Sequence, residues 1–452
     1  MRCSHIRLIA RHTRIYRTTF LLDNSFVGHM LSQHACCVTS LIRRFPLSDF
    51  YTGSPLDPDD LSFRDEFIEQ LWEILKSEHV LLTAPRRTGK TSVMDHMAAR
   101  PQGGFSTVTV FVQDLDHPAE FLLTLLDAFQ DRHPNLFRSV FQSSSHLIGK
   151  ILGSVGEIEA GGFKVAFRQA SPDWRDEWRT NGDDFFERVR KEKEPVLFIV
   201  DEFPDLILNM KHDHPELVRP FLSWFRGHCV TPHPKQDPVR WLLGGSVNLS
   251  STLDAIHCLD LINSLHDVAL PVLNDQQVRE FVRKMLSERQ VPFAAEVPGA
   301  VAHRLGRPVP LFMQMITQDL YRMWKHEQRL IQSADVDTAF SELIVSSAAR
   351  DKLQHYYSRI ARYYDDPRRT AAYALLAKLS VTSDGLERGI LQQEFDRIVH
   401  ERGAALPEHD RKRLFNQLLR DLENDFYVAE TAPGRYDFAS GVLKAWWKKY
   451  YA

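Results

Sequence analysis

The chain has 452 residues and a formal net charge of −3, with 43% apolar and 25% charged residues. This balance is typical of a folded globular protein, and it excludes a mainly disordered chain and a strongly basic chain that coats nucleic acid. No run of 18 apolar residues is present, and the five cysteines form no CxxC pair, so we expect a cytoplasmic protein with free thiols and no membrane partner. The length predicts about three domains.

Residues 1–45 differ in composition from the rest of the chain. They carry seven arginines, no lysine and a single acid, Asp23, which gives this segment a net charge of +6. Three interpretations are open: translation that truly starts at Met30 or later, a disordered basic tail, and a targeting peptide. We treat the segment as a disordered tail and assign it no function.

A glycine-rich loop follows the first apolar run of the chain. Residues 79–83 are typical of a buried parallel strand, and a helix-like stretch occupies 92–97. Between them the sequence meets the pattern G-x-x-x-x-G-K-[ST] at every fixed position except the first, where Ala84 stands. Such a loop turns backbone N–H groups towards phosphates. The sequence therefore predicts a nucleotide-binding loop.

The loop residues have distinct predicted roles. Gly89 allows close backbone approach, Lys90 reaches the β- and γ-phosphates from a solvated position, and the Thr91 hydroxyl ligates Mg²⁺. The predicted cofactor-binding residues of this segment are Ala84, Pro85, Arg86, Arg87, Thr88, Gly89, Lys90, Thr91 and Ser92.

Two further apolar strands end in polar residues. The run 195–200 ends in Asp201 and Glu202, where open α/β sheets bind ligands. We expect Asp201 to hold the metal and Glu202 to polarise the attacking water, although an ordinary acidic turn would have the same sequence. The strand 240–246 leads to Ser246 and Asn248; either can reach the γ-phosphate, and a plain Gly-Ser turn is the alternative.

The remaining elements alternate between strands and helices. Residues 107–115 are typical of a strand, and a helical segment begins near Pro118. This alternation predicts an α/β protein with a mostly parallel sheet.

Several segments, taken in order, resemble one known family. They are FYTGSP (50–55), LSFRDE (61–66), PRRTGKTS (85–92), DEFP (201–204), GS (245–246), INSLHDVALPVL (262–273), LGRPVPLFMQ (305–314) and YDFASGVLKAWW (436–447). Together they resemble the AAA+/STAND-type P-loop ATPases of bacteria and archaea over about residues 50–452.

The resemblance implies an architecture, ligands and further site residues. It implies a P-loop NTPase parallel sheet with helices on both faces (46–270), a helical lid (271–350) that the chain enters through 262–273, and a winged-helix domain (351–452). ATP and Mg²⁺ are the implied cofactors and ATP hydrolysis is the implied activity. Ser246 takes the sensor-1 position and is the second catalytic candidate, Arg64 belongs to a segment near the adenine, and Pro310 belongs to the lid motif. No arginine finger is identified.

The C-terminal region has the element order of a winged helix. Helical patterns at 367–380, 386–402 and 407–423 precede alternating segments at 426–429 and 435–438. The third helix carries Arg411, Lys412, Arg413, Asn416 and Arg420, which we expect to face solvent opposite a core stripe of Phe415, Leu418 and Leu422. Residues 356–452 carry only a +2 net charge, less than a DNA reader usually shows.

Two functions remain open at this level. The first is an ATP-binding and ATP-hydrolysing switch that controls a protein partner or its own self-association. The alternative is a DNA-binding adaptor, similar to initiator ATPases, that contacts DNA through the winged helix.

Overall fold

A computed structural model describes residues 58, 60–85, 87–135, 137, 173–230, 236–245, 249–254, 256–402 and 406–452. The basic tail 1–45, the segment 50–55, Arg86, Ser246 and Asn248 lie outside these residues. The helices and strands named below are numbered in chain order within the described ranges.

A five-stranded parallel sheet forms the first half of the described chain. Its strands are β1 (His79–Thr83), β2 (Ser106–Phe111), β3 (Val196–Asp201), β4 (Val239–Gly245) and β5 (Leu265–Ala269), in the spatial order β2-β3-β4-β1-β5. Strand β1 pairs with the central strand β4 on one side and with the edge strand β5 on the other. All residues of β1, β3 and β4 are buried, which explains their mainly apolar sequences.

Helices cover both faces of this sheet. They are α1 (Asp65–Leu75), α2 (Lys90–Ala99), α3 (Pro118–Arg132), α4 (Asp173–Asp176), α5 (Trp178–Glu192), α6 (Phe203–Asp213), α7 (Pro215–Cys229) and α8 (Leu249–Asp254). Alternate residues of β3 enter different cores: Leu197 and Ile199 pack with α1 and α2, whereas Phe198 and Val200 pack with α3, α5, α6 and α7. The two-residue period of the strand thus fixes the three-layer arrangement.

Strand β5 is an element that the sequence analysis does not name; it lies in the segment 262–273, which resembles the entry into the family's lid. Three of its five residues are exposed, and its sequence includes His266 and Asp267. Because most of this edge strand faces solvent, its sequence lacks the apolar run by which the buried strands are recognised. Its register is nevertheless regular, with Leu81 opposite Asp267.

The second half of the chain is mainly helical. It contains α9 (Asp275–Glu288), α10 (Val297–Leu305), α11 (Pro310–Glu327), α12 (Ser333–Val345), α13 (Ser347–Tyr363), α14 (Arg368–Ser380), β6 (Leu386–Glu387), α15 (Arg388–Glu401), α16 (Glu408–Asn424), β7 (Val428–Ala432), β8 (Arg435–Phe438) and α17 (Gly441–Tyr451). The order from α14 to β8, with an antiparallel sheet β6-β8-β7, is the one that the sequence predicts for a winged helix. A single cluster of buried side chains extends from Leu273 to Trp447. The boundaries at 270 and 350 stay predictions.

Helix α16 shows the predicted apolar stripe and a smaller basic face than expected. Phe415, Leu418 and Leu422 are buried, and Lys412, Arg413 and Arg420 are exposed. Arg411 is only partly exposed, because its guanidinium donates to the carbonyl of Leu406 (2.7 Å) and pairs with Asp396 (3.4 Å). The side-chain oxygen of Asn416 accepts a hydrogen bond from Arg388 (2.5 Å). Two of the five predicted surface residues are therefore engaged within the domain.

Within the described ranges, no helix has both the length and the apolar character needed to cross a membrane.

A buried histidine links three elements of the first domain. The Nε2–H of His79 on β1 donates to the carbonyl of Cys229 (3.0 Å), and its Nδ1 accepts from the backbone N–H of Trp241 on β4 (3.2 Å). Burial, followed by the charge of Arg240, lowers the pKa of His79 to about 4. Between about pH 4 and pH 6.5 this imidazole is therefore mainly neutral in the folded protein and mainly protonated in the unfolded chain.

We expect this histidine to make stability pH-dependent. Because its pKa is lowered in the folded state, the stabilisation is complete above about pH 6.5 and is lost as the pH falls towards 4, by about 3 kcal/mol. Urea unfolding of the wild type and of His79→Gln at several pH values measures the difference. The same change at the exposed His303 is the control, and equal pH slopes for His79→Gln and the wild type would contradict the assignment.

Candidate active site

The predicted phosphate-binding loop connects β1 to the first residue of α2. Gly89 precedes the helix with a φ of +96°, in the left-handed region that favours glycine. The hydroxyl of Thr88 donates to the carbonyl of Pro85 (2.6 Å), which closes the loop on itself. The first backbone N–H groups of α2 have no carbonyl partner within the helix, so this end of α2 has the character of an anion site.

The substitution of alanine at the first position of the loop motif is accommodated without strain. The φ angle of Ala84 is not positive, so its backbone conformation does not require glycine. Its N–H donates to the carbonyl of Gly245 (3.3 Å), and its methyl group packs in the core beneath α1 and α2. Ala84 therefore extends the pairing of β1 with β4 into the loop.

Three of the predicted site residues meet at the carboxyl end of β3. The ammonium group of Lys90 contacts Oδ1 of Asp201, and the Thr91 hydroxyl donates to Oδ2 of the same carboxylate (2.6 Å). The side chains are enclosed: Lys90 is 8% exposed and Asp201 is 4% exposed. The expectation of a solvated Lys90 is therefore wrong. The buried carboxylate of Asp201 draws the ammonium group onto the end of the strand, because a buried charge needs a partner.

Gly244 on β4 makes room for this contact. A methyl group at this position would lie 2.4 Å from Oδ1 of Asp201 and 2.8 Å from both Nζ of Lys90 and Sδ of Met94. The sequence analysis does not single out Gly244, although the pair of glycines at the end of an apolar strand signals a close approach.

Glu202 follows Asp201 in a left-handed conformation, with a φ of 59°. Its N–H donates to Oδ1 of Asp201 (2.9 Å), and it forms the N-cap position of α6. Non-glycine residues adopt this conformation rarely and often at functional sites. The side chain is half-buried at the same sheet edge as Lys90 and Thr91, where a general base would need to lie.

A pocket next to Gly89 brings together the other two predicted contacts. The space between its walls, including the open mouth, is about 640 Å³. Arg64 and Pro310 both line it, one at the start of α1 and the other at the start of α11. Phe63, Phe281, Met285 and Met313 supply apolar walls, and Gln314 is also present. Helices α9 and α11 and the loop thus line one cleft.

Arg64 connects the two sides of this cleft. It is 5% exposed, and its guanidinium donates to the carbonyls of Pro271 (2.7 Å) and Thr88 (3.5 Å). Burial lowers the pKa of Arg64 to about 10. The guanidinium therefore positions the loop and the chain that leads to the lid, and its own donors are directed to backbone carbonyls.

Two charged contacts near the loop are not anticipated from the sequence. Thr83 at the end of β1 donates to Oδ1 of Asp267 on β5 (2.9 Å). Burial, followed by the charge of Arg87, lowers the pKa of Lys352 on α13. Lys352 therefore lies within electrostatic range of Arg87. No local pattern distinguishes Lys352 from the other lysines.

The donor chemistry of the site fits a magnesium ion. Thr91 and Asp201 offer a hydroxyl and a carboxylate oxygen, the hard ligands that Mg²⁺ prefers. Among the described residues there is no group of three or more histidine, cysteine, aspartate or glutamate side chains that could hold a metal alone. The site is therefore suited to an ion that takes its other ligands from phosphates and water.

Comparison with known proteins identifies the fold. No family model matches the chain, and no curated protein matches its sequence. The Walker-type ATPase PABY2304 of Pyrococcus abyssi is 16% identical, with a TM-score of 0.55 over 87% of this chain and 98% of that chain. The ORC2 protein of Aeropyrum pernix is 13% identical, with a TM-score of 0.51 over 86% of this chain and 92% of that chain. The predicted α/β fold, a P-loop NTPase parallel sheet with helices on both faces followed by a helical C-terminal region, is confirmed.

We expect Gly244→Ala to destabilise the protein by about 1–3 kcal/mol, since the added methyl group must displace a short, buried carboxylate. Chemical denaturation measures the effect. Gly227→Ala is the matched control, because a methyl group there meets no atom within 4 Å and lies in helix α7. Equal unfolding free energies for the two variants would show that the Lys90–Asp201 contact does not require a glycine.

Proposed function

We propose that this chain is an ATP-binding and ATP-hydrolysing molecular switch of the AAA+/STAND type, whose nucleotide state controls a protein partner or its own assembly. The observation that carries the proposal is the meeting of Lys90, Thr91 and Asp201 at the carboxyl edge of the sheet, beside the start of α2. The Aeropyrum pernix ORC2 structure is described as ADPNP–ADP complexes, which supports an adenine nucleotide as the ligand of this fold.

The loop residues would bind and orient the phosphates. The N–H groups at the start of α2 donate to phosphate oxygens, and Lys90 exchanges its contact with Asp201 for the β- and γ-phosphates. Thr91 and Asp201 would hold Mg²⁺, which neutralises charge on the phosphates when bound. Gly89 allows the phosphate chain to approach the backbone.

Glu202 is the proposed general base. Its carboxylate would accept a proton from a water molecule as the water oxygen attacks the γ-phosphorus and the bond to the β-phosphate oxygen breaks, which yields ADP and phosphate. The left-handed backbone at Glu202 and its N–H bond to Asp201 hold the base next to the predicted metal ligand. Ser246 stays a prediction as the second catalytic residue.

Contacts of helix α6 support control of the C-terminal half. This helix begins directly after Glu202, and its Asp205 is 1% exposed. The hydroxyl of Tyr363 on α13 donates to Oδ1 of Asp205, and the Arg362 guanidinium lies 3.6 Å from the same oxygen. Arg362 also donates to Oδ1 of Asn209 (3.2 Å). The residues after the proposed base are thus bonded to the second half of the chain.

The same contacts continue into the proposed winged helix. The guanidinium of Arg359 lies over the ring of Tyr363, at 4.3 Å from its centroid, and donates to Oδ1 of Asp425 (3.3 Å). The Tyr364 hydroxyl donates to the other oxygen of Asp425 (3.1 Å). A continuous polar network therefore joins Asp205 to the end of α16, and a movement of Glu202 and Asp205 would change its partners.

A second candidate is the DNA-binding adaptor that uses α16. The exposure of Lys412, Arg413 and Arg420 favours it. The internal contacts of Arg411 and Asn416 leave a small basic face, so we favour the switch. Tight retention on DNA at physiological salt that is lost when Arg413 and Arg420 are both changed to glutamate would favour the adaptor instead.

We expect Glu202→Gln to retain ATP affinity and to reduce ATP turnover at least ~100-fold, the usual contribution of a positioned base. Calorimetry measures the affinity and phosphate release measures the turnover. Glu216→Gln, at an exposed position of α7, is the control. Normal turnover in Glu202→Gln would exclude this base, and unchanged ATP affinity in a folded Lys90→Ala variant would exclude the binding site itself.

We expect Tyr363→Phe to uncouple the two halves while leaving ATP affinity unchanged, because Asp205 loses a buried hydrogen-bond donor. In the wild type, ATP should change amide hydrogen exchange in α16. In Tyr363→Phe this response should be lost, and the free energy of unfolding should fall by about 1–3 kcal/mol. Tyr357→Phe removes a hydroxyl from the same helix and is the control. An undiminished response of α16 to ATP in Tyr363→Phe would contradict the coupling.

A further inference from the structure

The pocket beside Gly89 is lined by two kinds of residue. Gly89 and Thr88 belong to the predicted phosphate-binding loop. Phe281, Met285 and Met313, from helices α9 and α11, provide aromatic and thioether surface. A purine ring would fit against such side chains, since aromatic and sulfur groups pack well on flat π-systems.

Gln314 is a buried amide in this apolar lining. It is 5% exposed, and it lies one helical turn after Pro310, which also lines the pocket. Its Oε1 atom has no hydrogen-bond partner among the described residues. A buried acceptor without a donor is destabilising, so its retention in a ligand pocket indicates that a ligand supplies the donor.

The other buried polar side chains of the pocket, Arg64 and Thr88, are committed to the protein. Arg64 donates to the carbonyls of Pro271 and Thr88, and the Thr88 hydroxyl donates to the carbonyl of Pro85. Lys284 is exposed at the surface of α9. Gln314 is therefore the buried side chain that can read the edge of a base.

The geometry points to Gln314 as the residue that selects adenine over 6-oxopurines, an inference that rests on the proposed ATP-binding function. An amide offers an acceptor and a donor side by side, and adenine presents a 6-amino donor beside a ring-nitrogen acceptor. Oε1 of Gln314 accepts from the 6-amino group, and Nε2 donates to N7, which is an acceptor in every purine. A 6-oxopurine places a carbonyl oxygen where the amine would be, so this edge presents two acceptors and leaves Oε1 without a donor in either orientation of the amide.

The test compares ATP with inosine triphosphate on the full chain in the presence of Mg²⁺. The 6-position carries an amine in ATP and an oxygen in inosine triphosphate, and neither has the 2-amino group of guanine. By calorimetry, the wild type should bind ATP roughly 10–100-fold more tightly, the discrimination that a paired amide gives. In Gln314→Leu, the ratio of the ATP affinity to the inosine triphosphate affinity should approach one, because ATP binds more weakly. The thermal midpoint of this variant without nucleotide should rise, because its unpaired acceptor is gone.

Controls separate this inference from the function on which it rests. Gln318→Leu, one turn further along α11, should keep the wild-type ratio. If ATP binds and Lys90→Ala abolishes binding, but the wild-type ratio is near one or is unchanged in Gln314→Leu, the role of Gln314 is wrong and the ATP site stands. If the wild type does not bind ATP, both proposals fail. If Gln314→Leu does not fold, the same affinity ratio is measured on Gln314→Met and compared with that of the wild type.

Discussion

The carboxylate of Asp201 is the group on which the rest of the site depends. It is almost fully buried, and it accepts from the Lys90 ammonium, the Thr91 hydroxyl and the Glu202 N–H. These partners offset the cost of burying a charge, and they hold the start of α2 against the end of β3. An anion that takes Lys90 as its counter-ion removes one of these partners. In the proposed function, phosphate binding would therefore change the surroundings of Asp201, to which the N–H of Glu202 is bonded.

Such a change has a physical route to the second half of the chain. Asp205 lies on the first turn of the helix that Glu202 begins, and its buried carboxylate is bonded to Tyr363. Arg359 and Asp425 continue the network into the C-terminal elements. Because each buried group that loses its partner costs about 1–3 kcal/mol, these contacts tend to exchange together rather than one at a time. That property is what a switch between two discrete arrangements requires.

The pocket adds a second connection between the same parts. Its walls come from the loop, from the start of α1 and from helices α9 and α11, so a single ligand would touch the sheet domain and the lid together. In the proposed function, binding energy from the base would draw α9 and α11 towards the loop, while the phosphates act on Asp201. Substitutions can separate the two effects, because the proposals assign the base to Gln314 and the phosphates to Lys90.

The sequence by itself determined the elements whose signals are local. Buried parallel strands appear as continuous apolar runs, the loop motif sets a backbone conformation at Gly89, and the C-terminal helices follow a 3.6-residue period. Strand β5, the burial of Lys90 and the contacts of Arg411 depended on tertiary structure, because exposure at a sheet edge and the choice of partner leave no local pattern. The same holds for Asp205 with Tyr363, 158 residues apart, and for the unpaired amide of Gln314. Only the packing of distant segments decides which polar groups face one another.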